Sequence, residues 1–390
     1  MSDTQVVRAG GATWFARNSD REPSEPQPVV RLPAVRGDAA TTVRVTWLEV
    51  PQVPDRHAVL LSKPVWCWGA EMGVNEHGVA VGHQAIFSRQ ASLAPALLGM
   101  DLVRLGLERG GSAVEAVAVI IELLKEHGQG GPAAFGDKRY CHDSSFLVAD
   151  ASEAFVLETA GREWKVAPIA SGYAISNALT LEGFTEHDTR VKPFLARATQ
   201  RRALSMQHLA QPPSLASLAA SLRAHAHADE DPAHGSNRDV CMHAAGLIRR
   251  HQTTGSMIAR LTAAGPTVLF TGTSAPCLSI FRPAAFTGDF SVLTPHGHEV
   301  ESLLWRRHEF LHRRALADPA LRMRLRATRD PIEARIFESL TADAPAPTAL
   351  AHADRLAAAW HKVLWESLAQ QPARHASRYW ARLSRVDGIA

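Results

Sequence analysis

Cysteine is scarce. The chain has four in 390 residues, Cys67, Cys141, Cys241 and Cys277, far apart and with no C-x-x-C pair. That excludes a disulfide framework of the kind small secreted domains need, and reduced thiols in a cytoplasmic protein are expected. Long apolar runs are also missing: none approaches the roughly 18 residues of a membrane-spanning helix. The first residues carry neither the basic stretch nor the apolar block of a secretory leader. Net charge is only +3, too small to argue for nucleic acid or a membrane surface. No G-x-x-x-x-G-K or G-x-G-x-x-G precedes a helical pattern, so no nucleotide cofactor is indicated. There is no internal repeat and no long low-complexity tract.

With 46% hydrophobic and 21% charged residues, the composition is that of a soluble globular protein. The length is enough for one large domain or two ordinary ones. The first secondary-structure signal comes at once. TQVVRA and ATWFAR flank Gly10-Gly11, a dipeptide suited to a two-residue hairpin turn. REPSEPQP reads as extended loop. Residues 42–50, TTVRVTWLE, alternate as a strand should, with Val43, Val45 and Trp47 on one face. A short apolar strand follows the GVNEHG turn at residues 78–82. Two helices come next. LLGMDLVRLGL places Leu98, Leu102 and Leu105 on one stripe. SAVEAVAVIIELLKEHG starts with Ser112 and Glu115 spaced as a capping box and stops at Gly128. SSFLVAD and AFVLETA predict a hairpin, and GYAISN, GSMIARL, TVLFTGT and CLSIFRP predict further strands. Beyond about residue 300 the pattern is helical, with TADAPAPTA as a break. Strand runs and helix runs are segregated, which argues an α+β fold with antiparallel sheets.

The chemistry-bearing residues begin at position 2. An initiator methionine is usually trimmed when a small residue follows, and Ser2 then carries a free amine beside its hydroxyl. Such an amine has an ordinary pKa of about 7.7–8.0, close to working pH, and acts as the base for its own hydroxyl. The hairpin returns ARNSDRE beside this end. Arg17 then offers a fixed positive fork and Asp20 a carboxylate to orient the amine.

The order MSDTQVV…ARNSDRE…VPDRHAVLLSKPVWCWGAEMGVNEHGVAVGHQ…EHGQGG…SSFLVADASEAFVLETAGREW…ISN…CMHA…TTGSM…FTGTSAPCLSIFRP…LLWRRHE resembles the secernins and related bacterial dipeptidases over roughly residues 2–315. These are N-terminal nucleophile hydrolases. The resemblance implies a four-layer αββα sandwich, expected over residues 2–295, with a helical C-terminal extension over 296–390. It implies a cofactor-free amidohydrolase, dipeptidase-like, acting on small peptides or N-acyl amides through an acyl-enzyme. Ser2 stands where the family has its nucleophilic cysteine. Asn177 in ISN stands at the asparagine whose side-chain amide donates to the oxyanion, and His83 falls where relatives have asparagine, its backbone N–H a second donor. Two swaps around one reacting centre leave two other classes in play: an inactive secernin-like scaffold, and an acyltransferase using the same residues. The helical tail is a candidate subunit contact.

Other reactive side chains receive plainer readings. Cys67 and Cys277 sit in apolar settings and read as core thiols, and Cys241 with His243 as packing. HAHADEDPAHGSNRDVCMHAAG offers His225, His227, His234 and Cys241 as ligands, but at no recognised zinc spacing, so a polar solvated loop is expected and no metal. The arginine-rich stretch from Arg306 to Arg326 reads as the solvated side of an amphipathic helix, not a nucleic-acid face.

Overall fold

The computed structural model describes the chain except residues 190, 228–230, 247–248, 370, 372–373 and 390. Two antiparallel sheets stack face to face. The first has the order β12 (Gly172–Ile175), β1 (Ser2–Ala9), β2 (Ala12–Arg21), β13 (Gln252–Thr262), β14 (Gly265–Phe270) and β15 (Arg282–Ala284). The second runs β11 (Glu163–Pro168), β10 (Ala154–Ala160), β9 (Asp143–Ala149), β8 (Ala80–Ile86), β7 (Met72–Asn75), β6 (Val59–Ser62) and β3 (Val29–Leu32). A separate pair, β4 (Thr42–Arg44) and β5 (Glu49–Pro51), completes the strands. Helices α1 (Gly99–Arg109) and α2 (Ala113–His127) cover the second sheet. The chain then adds α3 (Val191–Leu195), α4 (Ala198–Leu209), α5 (Leu215–Leu222), α6 (Leu303–Ala317), α7 (Pro319–Ser339), α8 (Pro347–Leu368) and α9 (Arg378–Val386).

Neighbouring residues on one strand feed different cores, because successive side chains leave a strand on opposite faces. Phe15, Met257 and Phe270 point between the sheets, against Leu60, Met72 and Leu147. Ala16, Ile258 and Leu269 point outward, into one cluster with Leu218 and Leu222 of α5, Leu311 of α6, Leu325 and Ile336 of α7 and Leu364 of α8. Leu61, Val81 and Val148 meet Leu102, Leu105 and Ile120 of α1 and α2. Three cores between four layers make an αββα sandwich, and the helices after residue 300 supply much of its outer layer. No helix among the described residues is long and apolar enough to cross a membrane.

The hairpin at Gly10-Gly11 forms as read, with both glycines at positive φ (64° and 75°). Ser112 caps α2 by accepting from Glu115 N, and Gly128 N closes it on Leu124 O. The reciprocal half of the capping box is absent: Glu115 accepts from Gly111 N instead. Three readings are corrected. Residues 42–50 are not one strand but the pair β4 and β5, joined by a turn that Val45 N closes on Leu48 O. No glycine or proline marks that turn. CLSIFRP is strand only from Arg282. Its earlier backbone is satisfied by side chains, with Glu333 accepting from Phe281 N, and Arg329 and Arg223 donating to the carbonyls of Cys277 and Ser279. The long arginine-rich helix breaks at Asp318, which caps α7 ahead of Pro319.

Gly82 on β8 lets Arg17 cross between the sheets. A Cβ there would lie 2.5 Å from Arg17 Cδ and 3.2 Å from Phe15 Cζ. Arg17 is buried and tied at its far end to Glu71, so it cannot retreat. Gly82→Ala is expected to cost about 1–3 kcal/mol in urea denaturation, as overpacking does; an unchanged midpoint would mean that Arg17 is free to shift.

Candidate active site

The β1–β2 register places Ser2 opposite Ser19 and Asp3 opposite Asn18. One step further, Met1 N donates to Asp20 O at 3.0 Å and Asp20 N to Met1 O at 2.9 Å. Asp20 N also lies 3.3 Å from Ser2 Oγ, and that hydroxyl donates to Met1 O. On its other edge β1 pairs with β12, Thr4 opposite Ile175, which delivers Asn177 to the same end. Asn177 Oδ1 accepts from Ser2 N at 3.0 Å. Arg201, reaching in from α4, donates to Asn177 Oδ1 at 2.6 Å, to Ser2 O at 3.2 Å and to Asp3 Oδ2 at 2.5 Å. Gln84, with its amide turned to satisfy both its atoms, donates to Ser2 O at 3.1 Å and accepts from Thr4 N at 2.8 Å. Asp20 accepts from Thr253 Oγ1 at 2.7 Å, and its other oxygen lies 3.6 Å from Arg201.

This cluster opens on a narrow recess lined by Met1, Ser2, Asp20, Arg21, Glu71 and His83, with Tyr140, His142 and His251 also on its wall. Glu71 is the hub of the charged wall. It accepts from Arg17 and Arg21 at 2.7 Å each, and His83 Nε2 lies 3.3 Å away. Arg21 also pairs with Glu25 at 2.6 Å.

Burial sets the protonation states. It pushes the Met1 amine from 8.0 down to about 6, against the pull of Asp20. It pushes the Asp20 carboxyl up to about 7, against the amine and Arg201. The Met1 amine is thus largely free base at neutral pH. Burial would raise Glu71 too, but His83, Arg21 and Arg17 overcome it and hold the carboxyl well below its usual range. Burial lowers the imidazoles: His83, against the pull of Glu71, and His251 go down, and His142 falls to about 3.

Of the residues expected from sequence, Ser2, Asp20 and Asn177 meet directly, and His83 lines the same recess. Arg17 does not. Its guanidinium is buried between the sheets, on Glu71 and His83 O. The arginine that touches Ser2 is Arg201, and the one lining the recess is Arg21. The two expected oxyanion donors are both spent. Asn177 Nδ2 donates to Ala85 O at 2.9 Å, and His83 N faces Glu71 O at 3.4 Å. Asn177 instead holds the Ser2 nitrogen. Sequence reading missed Arg201, Glu71 and Arg21. Glu71 leaves a signal, a lone acid in the apolar run CWGAEMGV; Arg201 leaves none, sitting in the polar helix ATQRRALSMQHL.

Metal-ligating side chains gather elsewhere. His225, Cys241, His243 and Cys277 converge, whereas His227 and His234 of the histidine-rich stretch stay outside that group, and its residues 228–230 lie outside the described residues. His57, Glu76 and His77 form a more exposed trio.

No family model matches the chain. Among solved structures it is similar to penicillin V acylase from Agrobacterium tumefaciens, at 14% identity and a TM-score of 0.41, covering 69% of this chain and 85% of that one. It is also similar to a mutant conjugated bile acid hydrolase from Clostridium perfringens, at 11% identity and a TM-score of 0.39, covering 69% and 88%. A third is the Caenorhabditis elegans ortholog of N-acylethanolamine-hydrolyzing acid amidase, at 12% and 0.36, covering 66% and 91%.

Two outcomes follow from the buried charges. Arg201→Met leaves Asp3 without its counter-charge and should cost about 3–5 kcal/mol in chemical denaturation; a loss below about 1 kcal/mol, the range of exposed pairs, would mean that water reaches Asp3. His142 is neutral when folded but binds a proton near pH 6.5 when unfolded, so the unfolded state gains protons as pH falls. Stability is therefore lost below pH 6.5, by about 2 kcal/mol at pH 5 for this one group. Comparing urea denaturation at pH 7 and pH 5, His142→Asn should lose less than the parent protein; an equal loss would place the titration elsewhere.

Proposed function

We propose that the chain is an N-terminal nucleophile amidohydrolase, a cytoplasmic dipeptidase-like enzyme whose nucleophile is Ser2 once Met1 has been removed. The observation that carries this reading is the setting of the Ser2 nitrogen and hydroxyl. Both are buried at the end of a recess, with the nitrogen held by Asn177 Oδ1 and the hydroxyl beside Asp20 N–H. The freed amine takes the hydroxyl proton, and Oγ attacks the scissile carbonyl. The amine then protonates the leaving nitrogen, and water releases the acid from the acyl-serine. Asp20 N–H serves the oxyanion. Its present acceptor, Met1 O, leaves with Met1, and the N–H stays beside the reacting centre, 3.3 Å from Ser2 Oγ. Arg201 fixes Ser2 O and Asn177, so the amine and hydroxyl stay in register. Small peptides or N-acyl amides suit a narrow recess walled by polar groups.

A second reading has an observation of its own. While Met1 is attached, the Ser2 nitrogen is an amide with no basicity, and Met1 O occupies both Asp20 N–H and Ser2 Oγ. A chain that keeps Met1 is a non-catalytic protein of the same fold. Intact-mass analysis with a serine-directed covalent probe separates the two. The enzyme reading expects loss of Met1 and one adduct on Ser2.

Ser2→Ala should abolish turnover with the fold intact. Ser2→Cys should be active and newly sensitive to iodoacetamide, since a thiolate replaces the alcohol. Asn177→Ala releases the Ser2 nitrogen and should lower kcat by about 10²-fold or more. Amide hydrolysis by a Met1-retaining variant at the rate of the processed protein would overturn the proposal.

A further inference from the structure

The side chains of His225, Cys241, His243 and Cys277 meet behind the first sheet, with their four ligand-type atoms within 4.8 Å of one another. None of them lines the recess. Cys241, His243 and Cys277 are fully buried, and His225 is partly so. Three separate segments deliver them. His225 follows α5, where Ala224 O accepts from Val240 N and Cys241 N at 3.1 Å each. Cys241 and His243 lie two apart on a stretch pinned at Met242, whose N donates to Thr253 Oγ1 and whose O accepts from Thr253 N. Cys277 comes from the turn after β14, which Ala275 enters at a φ of 51°, a conformation that non-glycine residues seldom adopt.

The distances are those of a coordination shell. His243 Nε2 lies 3.2 Å from His225 Nε2, 3.6 Å from Cys241 Sγ and 3.5 Å from Cys277 Sγ. A ring nitrogen has one proton or one lone pair to offer, so hydrogen bonding serves one of these three neighbours. The ring's other nitrogen, Nδ1, is buried with no partner among the described residues. A tetrahedral ion at about 2.0–2.1 Å from nitrogen and about 2.3 Å from sulfur needs N–N edges of about 3.3–3.4 Å and N–S edges of about 3.5–3.6 Å. Both N–S edges agree, and the N–N edge, at 3.2 Å, is about 0.1–0.2 Å shorter.

We propose that His225, Cys241, His243 and Cys277 form a closed two-cysteine, two-histidine site for a structural zinc ion. Two thiolates with two imidazoles select zinc over magnesium or calcium, and four protein ligands leave no open position for chemistry. Binding turns both thiols into thiolates and releases two protons, while the neutral imidazoles donate lone pairs; nothing is oxidised or reduced. The ion ties the loop between α5 and β13 to the turn behind β14. That loop carries Val240, whose carbonyl accepts from Asn18, and leads into Thr253, which donates to Asp20. The clasp thus stiffens the outer wall of the Ser2 cluster without touching it.

The test uses the full chain, produced in zinc-supplemented medium, reduced, and separated from loose metal by gel filtration. Metal analysis should find one zinc per chain. Exchange with cobalt(II) should give the thiolate charge-transfer absorption and strong visible bands of a tetrahedral sulfur–nitrogen site. Cys241→Ser and Cys277→Ser should each lose both signals, whereas Cys67→Ser and Cys141→Ser should keep them. Should the first two variants fail to fold, cobalt titration of the parent protein still decides. Zinc far below one per chain together with no cobalt–thiolate absorption overturns the proposal. So does a Cys241–Cys277 disulfide in freshly isolated, metal-free protein. Neither result bears on Ser2, whose test is separate.

Discussion

The structure depends on one constraint: the first strand is polar and is buried on both faces. Ser2, Asp3, Thr4 and Gln5 sit in the middle of a sheet covered by another sheet on one side and helices on the other. Buried polar groups must be paired or they cost more than their burial gains. Each of the four therefore recruits partners from far along the chain. Asp3 takes Arg201 and Ser176. Thr4 takes Gln84, and Gln5 takes Ser205 and Ser221. Ser2 takes Asn177. The polar lattice that makes this strand tolerable is the same lattice that holds Ser2 in one orientation.

Charge balance follows from that burial. Three guanidiniums, Arg17, Arg21 and Arg201, and the terminal amine face four carboxylates, Asp3, Asp20, Glu25 and Glu71. Removing one partner of such a buried set is costly, because the other charge stays behind. The amine and Asp20 are the adjustable members. Burial lowers the amine to about 6 and raises Asp20 to about 7, so the pair can lose its charges together by moving one proton. Glu71 has no such freedom, because Arg17 and Arg21 grip its two oxygens separately. The rigid charges thus frame the recess while the mobile proton sits beside Ser2.

The outer helical layer has a matching problem on its inner side. The described residues between Arg223 and Gln252 have little regular secondary structure, yet Asp239 to Ala244 are all buried. Side chains take over where ladders are missing: Asn18 donates to Leu222 O and Val240 O, and Asp239 accepts from Ala226 N. The proposed zinc ion takes three ligands from this segment, His225, Cys241 and His243, and the fourth, Cys277, from the turn after β14, and so holds what secondary structure does not.

Local signals determined much of this protein. The Gly10-Gly11 turn, the Ser112 cap, the Gly128 stop and the α1 stripe each depend on neighbours within a few residues, so their chemistry is complete in a short stretch. The approach of Asp20 to Ser2 was legible for the same reason, since a two-residue turn fixes the register of its strands. The resemblance to secernins carried the αββα expectation, and the three cores bear the layers out. Strand periodicity could not have done so, because β13 is buried along all its residues and shows no polar face. Only the tertiary structure decided that Arg201 replaces Arg17 beside Ser2, that Asn177 accepts a hydrogen bond where donation was expected, and that His225, Cys241, His243 and Cys277 share one point. These groups are up to 200 positions apart in sequence. No spacing rule reaches that far, because what joins them is sheet order and layer packing.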